Sequence, residues 1–150
     1  MTMWTQYDPI FDTLDINTPD LRRELIWEKD SGPQKCEIQI WMPVQNNDGR
    51  WEAPLRIVGL GRTLMVAMPG DDSLGALIEA LAFARDAVGR KSERVLFGQH
   101  EAGGLPVFLG NNRFTPEVAA QVEAQAMDMA DEAFTHAMGM RVHSVFPAIQ

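Results

Sequence analysis

Alternation of apolar and polar side chains between residues 35 and 68 constrains the fold more than any other feature. A period of two residues is typical of a strand with one buried face. Turn-forming residues interrupt it at Asn46-Asn47-Asp48-Gly49 and at Gly59-Leu60-Gly61. A further strand is predicted within residues 21–30. Because strands joined by short connections usually pair, we predict an antiparallel meander of four to five strands over residues 21–69.

Two prolines mark weak points in this predicted sheet. Pro43 ends one alternating run and Pro54 lies inside the next. Proline cannot donate a ladder hydrogen bond, so each indicates a sheet edge, a bulge or another irregularity. The apolar run from Leu105 to Leu109, between glycines, is a candidate last strand, and Val95-Leu96-Phe97 is another short candidate.

A first long helix is predicted over about residues 72–88. Asp71, Asp72 or Ser73 can cap its start, and Gly89 suits a left-handed stop. Helical spacing gives it a large apolar stripe, which comprises Leu74, Leu77, Ile78, Leu81, Ala84 and Val88. It also has a smaller apolar surface of Ala76, Ala80, Phe83 and Ala87. We expect the large stripe to face the sheet and the alanine surface to lie under another element.

A second long helix is predicted over about residues 116–138. Thr115 is a good N-cap, Pro116 suits the first helical position, and Gly139 suits the position after the end. Its apolar stripe comprises Val118, Val122, Ala126, Met129 and Ala133. We expect this helix to pack on the alanine surface of the first. The predicted fold class is therefore α+β, with an antiparallel meander packed against two long helices.

The chain length of 150 residues fits a single domain over 1–150. The predicted elements are joined by less regular segments. These are an irregular N-terminal segment at 1–20, a loop with a short strand at 89–114, and a tail at 139–150. In the first segment, Ile10, Phe11 and Leu14 either make one helical turn or lay apolar side chains on the core.

Composition excludes several classes of function. The formal net charge is −8, which disfavours nucleic acid and anionic membrane surfaces. No apolar run is long enough to span a bilayer, and the N-terminus lacks the features of a secretory signal. Cys36 is the one cysteine, so no internal disulfide can form. These features predict a cytoplasmic protein, and its acidity favours a basic protein as partner.

The sequence contains no catalytic motif, and we predict no metal site and no cofactor. His100-Glu101 opens like a zinc-protease helix, but Gly104 stands where that motif requires a second histidine. Arg85 is the one charge in the large stripe of the first helix. Arg85, His100 and Glu101 are the candidate ligand-binding residues, in a pocket on the sheet face.

Partner-binding candidates fall in two places. Trp41, Arg50 and Trp51 surround the predicted hairpin tip, and exposed aromatic residues beside arginine are typical of interface anchors. Trp41 has an alternative: it covers the back of the sheet with Ile26, or lies under the N-terminal segment. The second group is acidic and lies on the second helix, at Glu117, Asp128, Asp131 and Glu132.

The segment from Trp51 to Val88 also carries a resemblance. It reads WEAPLRIVGLG, then an alternating strand, then GDDSLGALIEALAFARDAV. These motifs resemble a family of small uncharacterised bacterial α+β proteins, a domain of unknown function, over residues 21–88. The resemblance implies the scaffold and a bacterial origin. It implies no catalytic residue.

Three functions remain open. The first is a non-enzymatic protein-binding module, for example an immunity-type or adaptor protein, with a basic partner. The second is a small-molecule-binding protein or enzyme with a pocket on the sheet face. The third is a self-associating structural protein, such as a homodimer formed through a sheet edge or the alanine surface.

Overall fold

The computed structural model describes residues 9–110 and 114–138. The chain divides into two compact units, one through Phe108 and one from Leu109. The first contains the sheet and one helix, and the second contains the other helix. The single domain over 1–150 stays a prediction. The predicted tail at 139–150 lies outside the described residues.

The first unit is built on an antiparallel sheet of six strands, rather than four or five. The strands are β1 (Leu21–Lys29), β2 (Gly32–Ile40), β3 (Val44–Gln45), β4 (Trp51–Val58), β5 (Leu64–Gly70) and β6 (Val95–Leu96). β4 pairs with both β2 and β3 on one side and with β5 on the other. β1 pairs with β2 and with β6. The predicted meander is confirmed, and β6 is added to it after the helix.

A bulge explains both prolines. Ile40 pairs with Leu55 and Val44 pairs with Glu52, so the β2–β3 side has one more residue than β4. Pro43 lies in this bulge. Pro54 lies opposite it, and its carbonyl accepts a hydrogen bond from the Trp41 N–H at 3.1 Å. The missing Pro54 N–H therefore falls where the facing strand is already irregular.

One face of the sheet carries the apolar core. Its largest fully buried side chains include Leu25, Leu55, Ile57 and Val95, from three different strands. Period-two alternation brings them to the same face. Helix α1 (Ser73–Gly89) packs over this face and contributes its own buried residues to the same cluster.

The packing of α1 differs from the prediction. Ala76, Ala80 and Ala84 are fully buried in the core, whereas Leu74, in the large stripe, is 62% exposed. The assignment of the large stripe to the sheet was therefore wrong in part. Alanine brings the helix backbone close to the sheet. A Cβ on Gly70 at the end of β5 would collide with the Ala76 backbone.

The ends of α1 confirm one prediction and correct another. The Asp72 carboxylate accepts a hydrogen bond from the Gly75 N–H at 2.6 Å, so Asp72 is the N-cap. Gly89 is the last helical residue rather than a left-handed stop. The chain leaves the helix through Arg90, which keeps right-handed backbone angles and donates to the Asp86 and Val88 carbonyls.

The back of the sheet is partly covered by the N-terminal segment. A 3₁₀ helix at Pro9–Thr13 places Phe11 against Trp41, with ring centroids 5.8 Å apart in an edge-to-face contact. Phe11 is buried. The helical turn that was one alternative for this segment is therefore present, and it contributes a buried apolar side chain.

After α1, the chain returns to β1 through β6 and then makes a tight left-handed turn. Ala102, Gly103 and Gly104 all have positive φ, between 51° and 66°. The Arg23 guanidinium donates to the carbonyls of Gly103 and Gly104 and lies over the Phe97 ring. The run predicted as a last strand from Leu105 is not a strand, because Pro106 lacks an N–H and residues 105–108 pair with no strand in the described part of the chain.

The second unit contains helix α2, Pro116–Met138, with the ends that the sequence predicted. The Thr115 hydroxyl accepts a hydrogen bond from the Val118 N–H at 3.3 Å. Ala119 is the buried residue of this helix. Val118, Val122 and Met129 of its apolar stripe are exposed. The packing of α2 on the alanine surface of α1 stays a prediction.

Candidate binding surface

The three candidate ligand-binding residues do not converge. Glu101 forms an exposed ion pair with Arg94, Oε1 to Nε at 2.9 Å. His100 is exposed, and its backbone exchanges hydrogen bonds with Phe97. Arg85 lies on α1, where its Nε is buried and has no hydrogen-bond partner in the described part of the chain. Within residues 9–110 and 114–138, no hydrogen bond or ion pair joins Arg85 to His100 or Glu101.

The sheet face that was predicted to hold a pocket is filled by α1. The helix covers β4 and β5, and the buried alanines leave the two backbones close together. Cys36 lies within this core, where burial raises the pKa of its thiol. A neutral buried thiol is a structural group rather than a nucleophile.

A hollow of about 420 Å³ lies elsewhere, between the hairpin tip and the start of α1. Arg50, Asp71, Asp72 and Glu79 supply its charged side chains. The Asp72 carboxylate is already used as the helix cap. No group of metal-ligating side chains suited to an ion occurs among the described residues.

Trp41 does not belong to an exposed anchor. Its side chain is 3% exposed, and its indole N–H donates to the Asp15 carbonyl at 3.0 Å. Arg56 lies over the ring and donates to the Ile16 carbonyl at 2.8 Å. This is the alternative in which Trp41 lies under the N-terminal segment. Trp41 follows the core-facing Ile40, so its side chain lies on the opposite, back face of the sheet, which the N-terminal segment covers.

The same segment is held by local polar contacts. The Thr18 hydroxyl and then the Asn17 N–H donate to the Asp15 carboxylate and hold the pKa of Asp15 below its ordinary value. Gln39 is buried nearby and accepts from the Arg56 Nε at 2.5 Å. The contacts fix a structural cover over the sheet rather than a reactive site.

Arg50 and Trp51 lie at the hairpin tip as predicted, but they differ in exposure. Arg50 is exposed, whereas Trp51 is half-buried and packs against the core. The hairpin turn is closed by the Asn46 side chain, which accepts hydrogen bonds from the Asp48 and Arg50 N–H groups. The tip therefore offers a hydrogen-bonded turn with an exposed arginine side chain rather than an aromatic anchor.

The acidic candidates lie along one side of α2. Glu117 and Asp128 are eleven residues apart, which is about three helical turns, so they lie one above the other. Glu132 lies one turn beyond Asp128 and is also exposed, and Asp131 is half-buried. Residues 115–138 contain no Lys or Arg. We call Glu117, Asp128, Asp131 and Glu132 the acidic face.

Exposed apolar side chains lie beside the acidic face on the same helix. Val118 and Val122 are 40% and 37% exposed, and Met129 is 70% exposed. They lie about a third of a turn around from Glu117 and Asp128. Helical spacing predicted both surfaces, and the apolar one was expected to pack inside the chain. Periodicity does not report side-chain exposure, and exposure is what distinguishes an apolar surface packed inside the chain from one that faces solvent.

Comparisons with known proteins give a family but no activity. No helix within residues 9–110 and 114–138 has the length and hydropathy to cross a membrane. No curated protein and no solved structure matches the chain. A family model described as a domain of unknown function, DUF6968, matches residues 21–107. The match takes in all six strands and α1 and covers more than half of the chain, whereas α2 lies outside it. This chain therefore belongs to the DUF6968 family.

Proposed function

We propose that the chain is a non-enzymatic protein-binding module that takes a basic partner on α2. The observation that carries the proposal is the pairing of two exposed surfaces on one helix: the acidic face, and the apolar stripe beside it. Val118 and Met129 are exposed on that stripe. An immunity-type or adaptor protein would use such a surface.

Charge and apolar area have separate tasks in this proposal. The acidic face attracts a positively charged partner over several ångströms, which raises the association rate and sets the orientation. The apolar stripe gives affinity once Val122 and Met129 are removed from water. The partner surface that fits is a basic amphipathic segment, with lysines or arginines flanking an apolar strip.

The small-molecule alternative has less support. α1 fills the predicted sheet-face pocket, and Arg85, His100 and Glu101 do not meet. The open hollow near Arg50 contains polar side chains but is not lined by the apolar surface typical of ligand pockets. Self-association would involve a different part of the molecule, the sheet edge.

The proposal is tested by comparing three immobilised baits in the same lysate. The first is the unchanged chain. The second carries Glu117→Gln, Asp128→Asn and Glu132→Gln on the acidic face. The matched control removes the same charge from exposed residues of the first unit, with Glu24→Gln, Asp30→Asn and Asp48→Asn.

Quantitative mass spectrometry should find a basic protein retained by the unchanged chain and the control but lost from the acidic-face variant. Calorimetry with the purified partner should then give a Kd that rises with salt. The proposal fails if no protein distinguishes the two variants, or if the distinguishing protein binds without dependence on salt or on Met129→Ser.

A further inference from the structure

The outer edge of β5 offers backbone groups that no described strand uses. β5 pairs with β4 along its whole length and with no other strand of residues 9–110 and 114–138. Each residue of an edge strand that faces outward presents its N–H and C=O to solvent. Such an edge is a template for another strand.

The register identifies the outward residues. Trp41 donates to the Pro54 carbonyl, so Pro54 faces β2. Its neighbour Leu55 therefore faces β5, where it pairs with Val66. Val66 thus uses its backbone groups toward β4. Met65 and Ala67, on either side of it, direct theirs outward.

This edge carries little of the usual protection against pairing. Leu64–Gly70 contains no charged residue, whereas natural edge strands commonly carry lysine or an inward-pointing charge. Pro69 also has outward phase and lacks an N–H, but each copy can pair from Leu64 to Met68 without meeting a proline. Leu64, Val66 and Met68 pack against the core but remain partly exposed along this edge.

We propose that a second copy of the chain pairs with β5 across a two-fold axis, so that the two sheets become one. The strands run antiparallel with Val66 opposite Val66 of the second copy. Met65 then exchanges both backbone hydrogen bonds with Ala67 of the second copy, and the reverse pair forms by symmetry.

Charge complementarity favours this register. Arg62 lies four residues before Val66, and Gly70 lies four residues after it. Pairing centred on Val66 therefore places Arg62 opposite Gly70 of the second copy and one residue from its Asp71, within reach of the long arginine side chain. Both residues lie beyond the ends of β5, so strand alternation does not fix where their side chains point, and the same contact recurs across the axis. Both side chains are exposed. A parallel two-fold arrangement would instead place Arg62 beside Arg62 of the second copy and Asp71 beside Asp71. These like charges would repel each other.

Sedimentation velocity on the full chain, over a micromolar to millimolar concentration series, tests the proposal. We expect a reversible dimer. Arg62→Asp and Asp71→Arg should each raise the dimer Kd by about tenfold, because an attractive pair becomes repulsive at two positions. The double variant Arg62→Asp/Asp71→Arg should restore the original Kd, which a merely structural effect of either change would not do.

A second variant addresses the backbone. Ala67→Pro removes an outward N–H that β4 does not use, and it should raise the Kd on the order of a hundredfold. Circular dichroism checks that this variant folds, and the charge exchange stands as the test if it does not. A chain that stays monomeric throughout, pairs β5 only with another protein, or forms a dimer insensitive to both sets of changes would overturn the proposal. The acidic-face variant should leave the dimer unchanged, so the two proposals can fail separately.

Discussion

The two long helices have similar apolar patterns but different surroundings. α1 has three alanines with no exposed surface, packed against the sheet. α2 is longer and has Ala119 as its buried residue. Both carry an apolar stripe that helical periodicity detects equally well. The difference teaches that an amphipathic pattern establishes that a face needs a partner and leaves open whether the partner is the chain's own sheet or another molecule.

The largest effect should come from the closest contact of α1. Gly70→Ala places a methyl group against the Ala76 backbone, which cannot move without shifting the helix. We expect the free energy of unfolding to fall by about 3 kcal/mol, as for severe overpacking. Chemical denaturation measures it. Gly98→Ala is the control, because its Cβ would meet no atom of the described residues within 4 Å and costs only the strain of a positive φ of 59°. Equal losses in the two variants would show that α1 is not tightly packed.

An alanine-to-leucine pair compares the helices directly. Ala80→Leu adds volume to a fully buried site on α1 and should destabilise the chain by about 2 kcal/mol. Ala126→Leu adds the same atoms to an exposed position of α2, where the change should stay under about 0.5 kcal/mol. Thermal and urea unfolding would report both values. A large loss from Ala126→Leu would contradict the comparison.

The smallest effect concerns the helix caps. Asp72→Ala removes the carboxylate that caps α1 and should cost about 1 kcal/mol in global unfolding. Thr115→Ala removes the hydroxyl contact at the start of α2. Because few α2 side chains are buried, its effect should appear as faster amide hydrogen exchange within α2 rather than as a shift of the main transition. Slower or unchanged exchange there would mean that α2 is more firmly held than its exposure indicates.

Helix-capping residues and strand alternation predicted the parts of the fold that depend on contacts between residues close in sequence. Thr115 and Pro116 fixed the start of α2, and the strand alternation from Cys36 gave the sheet. Gly70 and Trp41 were harder, because their environments depend on distant parts of the chain. The close approach of Ala76 explains the glycine, and the cover from Phe11 explains the buried indole.

The candidate sites show the same limit. Arg85 and Glu101 were grouped on residue type, but separation in space decides whether charges cooperate, and Glu101 is paired with Arg94 instead. The acidic face was found because helical spacing alone aligns Glu117 with Asp128. The exposed stripe beside it was assigned to the interior, since no periodicity distinguishes an internal contact from an interface.

The position of Cys36 has a practical consequence. It is the chain's one cysteine, and it lies in the core between the sheet and α1. A maleimide or iodoacetamide reagent can reach the sulfur only after that core opens. The rate of alkylation of the native protein therefore measures how often this core opens. The measurement needs no introduced label, and no other thiol of the chain competes.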